Sequence, residues 1–98
     1  MNMQQLMQQA QRMQRDITKK KDEIDAMSFI GRSEWVELEF NGKREIKKFK
    51  ILKSGEISED DKEMLEDMIM LAIKDAFNKI DKETENKLGQ YSSLGGLF

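Results

Sequence analysis

An unbroken alternation of three- and four-residue steps connects the apolar side chains of the first 27 residues. The series consists of Met3, Leu6, Ala10, Met13, Ile17, Lys20, Ile24 and Met27, and Lys20 is its single charged member. This is the spacing of a and d positions in heptads. A helix over residues 2–27 would be roughly 39 Å long. In a chain of 98 residues, a helix of that length must project or pack on a partner, so we predict a coiled-coil-like helical arm.

The polar side of this helix carries three basic residues, Arg12, Arg15 and Lys19, at spacings of three and four. We call this set the arm stripe. Residues three and four apart lie on one side of a helix, so the three charges form a continuous basic surface. Its residues alone leave two interpretations open: a binding surface for an acidic partner or an ordinary solvated helix face.

Residues 28–52 show the two-residue period of a β-sheet. The segment VELEF at 36–40 alternates apolar with acidic side chains, as a strand buried on one face does. Asn41-Gly42 follows, which predicts a hairpin with a type I′ turn. The upstream segment SFIGRS at 28–33 is short and β-compatible, so we expect it to add a third strand.

The returning strand of this hairpin contains KREIKKFKILK at 43–53, with six basic residues and one acidic residue in a chain of net charge −2. A regular strand would place Ile46 on the face opposite Phe49 and Ile51. We therefore expect a bulge near residues 47–48, the alternative being that Ile46 covers a second apolar surface.

The basic side chains of this segment have two possible roles. They are Lys43, Arg44, Lys47, Lys48, Lys50 and Lys53. A basic strand can bind phosphates. Lysines on an edge strand also discourage unwanted strand pairing, and Glu37 and Glu39 lie across the hairpin to pair with them. From the residues alone, the structural role is favoured.

The remainder of the chain predicts a second long helix. Ser58 is a suitable N-cap and acidic residues follow it, where the helix dipole favours them. A broad apolar stripe then continues towards Leu88, wide enough to cover the sheet and a second surface, which we expect to be that of a symmetry mate. We predict core or dimer contacts at Leu6, Met13, Ile17, Met68, Ile69, Ile73 and Phe77. One domain is expected over residues 1–88, with a flexible Gly- and Ser-rich tail at 89–98.

Several functional classes are disfavoured by composition. The chain has no Cys and no His, which removes the usual nucleophiles, general bases and zinc ligands. The acidic pairs at 60–61 and 66–67 belong to a highly charged helix surface, and isolated glycines form no phosphate-binding loop. We expect no enzyme activity, no cofactor or metal and no small-molecule substrate. No apolar run has the length of a membrane span and no signal-peptide pattern is present, so we expect no membrane partner and a cytoplasmic protein.

Charge is divided unevenly along the chain. Residues 1–53 carry 12 basic and 8 acidic side chains, whereas residues 54–98 carry 5 basic and 11 acidic ones. Such a division indicates a basic surface used for binding, or two halves that attract each other within the fold.

The order of these pieces closely resembles the YbaB/EbfC family of bacterial nucleoid-associated proteins. The similar segments are MQQLMQQAQRMQ near the start, VELEFNG, EIKKFKI, DDKEMLEDMIMLAIKDAFNKI and the final GGLF. The turn sequence GRSEW and a tail without Pro depart from the family pattern. The resemblance implies an α+β protomer of order α-β-β-β-α that forms an intertwined homodimer, binds duplex DNA and associates with the nucleoid.

The resemblance also implies that the helical arms make the main DNA contacts. On this chain, that selects the arm stripe and Lys21, with Lys43, Arg44, Lys47 and Lys48 as a second set. Phosphate contacts would dominate, because no recognition helix with base-reading residues is evident. An alternative hypothesis is a protein-interaction or scaffolding dimer whose DNA binding is incidental. The second helix, the heptad arm and the tail are all compatible with that role.

Overall fold

The computed structural model describes the backbone of residues 2–94 and the side chains of residues 2–91. Its elements are α1 (Met3–Ala26), β1 (Phe29–Arg32), β2 (Val36–Phe40), β3 (Ile46–Ile51) and α2 (Lys62–Leu88), with short 3₁₀ helices at Glu59–Asp61 and Gly89–Leu94. The predicted α+β architecture, in the order α-β-β-β-α, is confirmed. The predicted tail, 89–98, continues beyond the described residues.

The three strands form one antiparallel sheet in the order β1-β2-β3. Leu38 lies opposite Phe49, but Glu39 pairs with Lys48 and Phe40 pairs with Ile46, so Lys47 is an extra residue on β3. This confirms the predicted bulge. Because the bulge restores the side-chain parity, Ile46, Phe49 and Ile51 all lie on the sheet face that holds the core residues of β2. We call these three residues the β3 apolar face.

The hairpin between β2 and β3 is confirmed, but its turn is not of type I′. The Arg44 N–H donates to Asn41 O at 3.0 Å and the Asn41 N–H donates to Glu45 O at 3.0 Å, which encloses a three-residue loop. Positive φ occurs at Arg44 (65°) rather than at Asn41 or Gly42, as in a loop that ends with a left-handed residue. Gly42 is needed for a close approach instead: a Cβ there would be 2.1 Å from Ile24 O on α1.

The core lies between α2 and the first two strands. Its fully buried side chains include Val36 and Leu38 from β2 and Ala72 and Ala76 from α2. The strand β1 lies so close to α2 that a Cβ on Gly31 would be 1.9 Å from Ala72 O. This close contact positions α2 over β1 and β2. The β3 apolar face is left uncovered, with 43–55% of each side chain exposed.

The helix α1 packs its C-terminal half on the end of α2 and extends its N-terminal half beyond it. Glu23 contacts Lys87 at 3.4 Å. About two helical turns nearer the N-terminus of α1, Asp16 contacts Tyr91, just beyond the end of α2, so the two helices run antiparallel. The molecule measures 70 × 20 × 15 Å with a radius of gyration of 19.3 Å, against about 13 Å for a compact domain of this length. The predicted helical arm is therefore a projecting element.

Along the heptad series, burial follows this geometry. Ile17 and Ile24 are buried where α1 lies on α2, Met13 is half-buried, and Leu6 is 49% exposed in the projecting part. The predicted contact residues of α2 lie against the core without being fully buried; they are Met68, Ile69, Ile73 and Phe77.

Candidate nucleic-acid interface

The arm stripe is exposed on α1, with Arg12 on the projecting part and Lys19 beside the half that packs on α2. Within the described residues, Arg12 and Arg15 form no hydrogen bond or ion pair. The sequence around them contributes to this: the first 15 residues contain both arginines and no acidic residue. A basic side chain without an ion pair on a projecting helix is available to an external anion.

Lys21 lies on a different side of α1 from the arm stripe. It is nine residues from Arg12, which at about 100° per residue puts the two on opposite sides of the helix. Lys21 borders a small groove together with Ile24 and Gly42, next to the β2–β3 hairpin, and it interacts with other groups of the protein. The structure therefore separates Lys21 from the arginines with which the resemblance grouped it.

Arg44 is held against α2. Its Nη2 lies 2.6 Å from Asp81 Oδ1, and its guanidinium lies 4.5 Å from the centre of the Phe77 ring. The ring of Phe77 in turn packs edge-on against Phe40, with 5.1 Å between centroids. Arg44 thus connects the hairpin loop to the second helix, and these contacts offset the cost of its left-handed backbone.

The remaining hairpin lysines are exposed but lie beside acidic groups. Lys43 and Lys47 flank Glu45, and the pKa of Glu45 is lowered first by a hydrogen bond from Asn41 and then by these two charges. Lys48 lies directly opposite Glu39 on the sheet. The field of these lysines is therefore partly neutralised by acidic groups of the same chain.

The outer face of the sheet carries charges of both signs in register. Lys50 lies opposite Glu37, and Arg32 donates to Glu37 from both its Nε and its Nη2. The pKa of Glu37 is lowered, first by the Arg32 hydrogen bond and further by the charges of Lys50 and Lys48. This pairing agrees with the structural role favoured for the strand lysines.

A contact between α1 and the Gly89–Leu94 segment was missed by sequence reasoning. The Tyr91 hydroxyl donates to Asp16 Oδ2, Lys20 Nζ lies 3.2 Å from the same oxygen, and Lys20 also lies over the Tyr91 ring at 5.6 Å from its centroid. We call these three residues the Tyr91 latch. The one sequence signal for this contact was Lys20, the single charged member of the heptad series. The position of Tyr91 beside it could not be predicted, because Tyr91 is distant along the chain.

Two classes of feature are absent from the described part of the chain. No group of three or more acidic side chains there is arranged to hold a metal ion. No helix among the residues searched has the length and hydropathy to span a membrane.

Comparison with known proteins places this geometry in a family. A model of the YbaB/EbfC DNA-binding family matches residues 1–97. A nucleoid-associated protein of Ligilactobacillus salivarius is 38% identical over 100 residues, covering 99% of this chain and 95% of its own. A nucleoid-associated protein of Lactococcus lactis is 40% identical over 94 residues, covering 94% of each chain.

A solved structure shares the fold. The crystal structure of an uncharacterized protein from Helicobacter pylori superposes with a TM-score of 0.74 at 22% identity, covering 97% of this chain and 99% of that one. The matching family is one of DNA-binding proteins, not of enzymes. Its model and the curated relatives both extend over nearly the whole chain. The chain therefore belongs to the YbaB/EbfC DNA-binding family.

Proposed function

We propose that the protein is a homodimeric, nucleoid-associated protein that binds duplex DNA through phosphate contacts made by the arm stripe. The observation that carries this proposal is the exposure of Arg12 and Arg15 on a projecting helix without an acidic partner. Lys21, Lys43, Lys47 and Lys48 contribute long-range attraction. Arg44 contributes least, because its guanidinium is already bound to Asp81.

Phosphate contacts explain how a chain of net charge −2 binds DNA. The potential near a basic surface, rather than the net charge, governs encounter with a polyanion. Each Arg or Lys that neutralises a phosphate releases condensed counterions, so affinity falls steeply with salt. The sequence shows no recognition helix with base-reading residues, so sequence preference would come from DNA shape.

The uncovered apolar surface supports the homodimer. The β3 apolar face continues the core surface of β2 sideways, but α2 of the same protomer does not cover it. On α2 itself, Met70 and Leu71 are 60% and 54% exposed. A second copy brings an identical pair of surfaces, so α2 of one protomer and β3 of its partner can cover each other around a two-fold axis.

The two edges of the sheet differ in a way that also favours association at β3. At β1, two of the outward backbone groups are already bonded: Lys79 Nζ donates to Ile30 O at 2.6 Å, and the Arg32 N–H donates to Asp75 Oδ2 at 3.0 Å. β3 is the other edge, and no described segment pairs with its outer side. An open edge next to an uncovered apolar face is a surface on which a partner gains both burial and hydrogen bonds.

Fluorescence anisotropy of labelled duplex DNA, titrated with the protein from roughly 50 to 200 mM salt, tests the proposal. If both arm stripes of a dimer contact DNA, the log–log salt slope should be about −5. Absence of saturable binding at the lowest salt would contradict the proposal and favour the protein-interaction dimer.

A further inference from the structure

Asp16 is the single acidic residue among residues 1–21, and it borders the arm stripe. It is four residues after Arg12, next to Arg15 and three residues before Lys19. A carboxylate at these spacings on a helix is within reach of basic side chains on the same surface. Asp16 is thus a potential internal competitor for the phosphates that the arm stripe would bind.

In the structure, the Asp16 carboxylate points away from the arm stripe, towards Lys20 and Tyr91. Its Oδ2 accepts from the Tyr91 hydroxyl and pairs with Lys20 Nζ at 3.2 Å. The pKa of Asp16 is lowered, first by the Tyr91 hydrogen bond, then by the Lys20 hydrogen bond. Its ion pair is with Lys20 and not with Arg12 or Lys19, although the charge of Lys19 also lowers the pKa of Asp16 to a smaller extent. The side chain remains 39% exposed, so it retains room to turn towards the stripe.

We propose that Tyr91 is a positioning residue for the DNA-binding arm: by holding Asp16 on the Lys20 side of α1, it keeps Arg12 and Lys19 available for phosphate. This inference rests on the proposed function and adds a regulatory contact to it. It also assigns a role to Tyr91 of the Gly89–Leu94 segment, which is 75 residues from Asp16 along the chain and in contact with it in space.

The physical basis is competition between partners of one carboxylate. Without the hydroxyl, Asp16 is held only by its exposed i,i+4 ion pair with Lys20, and such surface ion pairs are weak. Arg12 and Lys19 then compete for it on nearly equal terms. A basic side chain of the arm stripe that pairs with Asp16 is less available to phosphate. In a dimer, this loss would occur once in each copy.

The test is a double-mutant cycle of Tyr91→Phe and Asp16→Asn in the DNA anisotropy titration. Tyr91→Phe removes one oxygen and should weaken DNA binding by about two- to fivefold with a shallower salt slope. In the Asp16→Asn background, the same change should have no effect, because no carboxylate remains to compete. Equal losses in both backgrounds, or no loss in either, would overturn the inference.

A second readout examines the latch without DNA. Tyr91 is the single tyrosine of the chain, so phenol absorbance titration reports on it alone. Its pKa is raised above 10.0, first by the hydrogen bond to Asp16, and Asp16→Asn should bring it back towards that value. A phenol pKa unchanged by Asp16→Asn would overturn the latch. Native protein that fails to bind DNA would instead overturn the proposed function and, with it, the role of the latch in binding.

Discussion

Three arginines of this chain show how the surroundings of a side chain determine what its charge can do. Arg12 is exposed without an ion pair among the described residues. Arg32 is hydrogen-bonded to Glu37 across the sheet, and Arg44 is bound to Asp81 and stacked on Phe77. The sequence identifies all three as basic, but the contacts that distinguish them depend on residues brought close by the fold.

Arg12→Gln and Arg44→Gln form a matched pair, because each removes one charge from an exposed arginine. We expect Arg12→Gln to weaken DNA binding with little change in the free energy of unfolding. Arg44→Gln should lower that free energy by about 0.5–1.5 kcal/mol, through loss of a partly exposed ion pair and a cation–π contact. Urea unfolding and DNA titration measure the two effects. Equal changes in DNA affinity from both substitutions would contradict the assignment.

The Tyr91 latch also predicts how stability depends on pH. The pKa of Asp16 is lowered in the folded state, so its contribution is present above about pH 4 and is lost as pH falls through the lowered pKa. The pKa of Tyr91 is raised, so its contribution is present below about pH 10 and is lost above that. Tyr91→Phe should make both declines shallower in urea unfolding measured across pH. An unchanged profile would show that the latch does not contribute.

At the scale of elements, long periodic patterns were predicted well and short turns were not. The heptad series gave α1 to within a residue or two of its ends, because many positions report on the same helix. The Asn41-Gly42 signal gave the hairpin but the wrong turn type, because Gly42 is held by contact with Ile24 on α1. A local preference for type I′ was thus overridden by a tertiary contact that the local sequence does not contain.

Gly31 and Gly55 provide a test of the closest contact between elements. A Cβ at Gly31 would be 1.9 Å from Ala72 O and 2.7 Å from Ala76 Cβ, so Gly31→Ala must separate β1 from α2. We expect it to cost about 3 kcal/mol or more of unfolding free energy. Gly55 has φ of +81° and nothing within 4 Å of a Cβ, so Gly55→Ala should cost about 1–2 kcal/mol. Chemical denaturation of both variants checks this, and equal costs would contradict the close packing.

At the scale of the whole molecule, the protomer exposes surface that a second copy is proposed to cover. The sequence predicted Phe49 and Ile51 to share one face of the strand, and the bulge adds Ile46 to it. Their exposure could not be predicted, because it depends on where α2 crosses the sheet. The arm stripe was identified from helical spacing, whereas the Tyr91 latch was not, since Asp16 and Tyr91 are 75 residues apart.

Phe49 and Ile30 give a matched test of the dimer surface, because they are 47% and 42% exposed on opposite faces of the sheet. Phe49→Lys places a charge in the β3 apolar face and should shift the protein towards monomer, since an unpaired charge in a buried interface is costly. Ile30→Lys should leave association unchanged. Sedimentation at several concentrations distinguishes them. Dimers of equal stability would show that the partner uses another surface.

The most direct measurement compares DNA binding by the native protein with that of the Arg12→Gln, Arg15→Gln, Lys19→Gln triple variant, over a salt series. Sedimentation of both samples is the control that compares their oligomeric states. If the arm stripe makes the phosphate contacts, the variant should lose most of its affinity and most of its salt slope while its oligomeric state is unchanged. Binding that persists with equal affinity and equal salt slope would contradict the assignment of DNA binding to the helical arm.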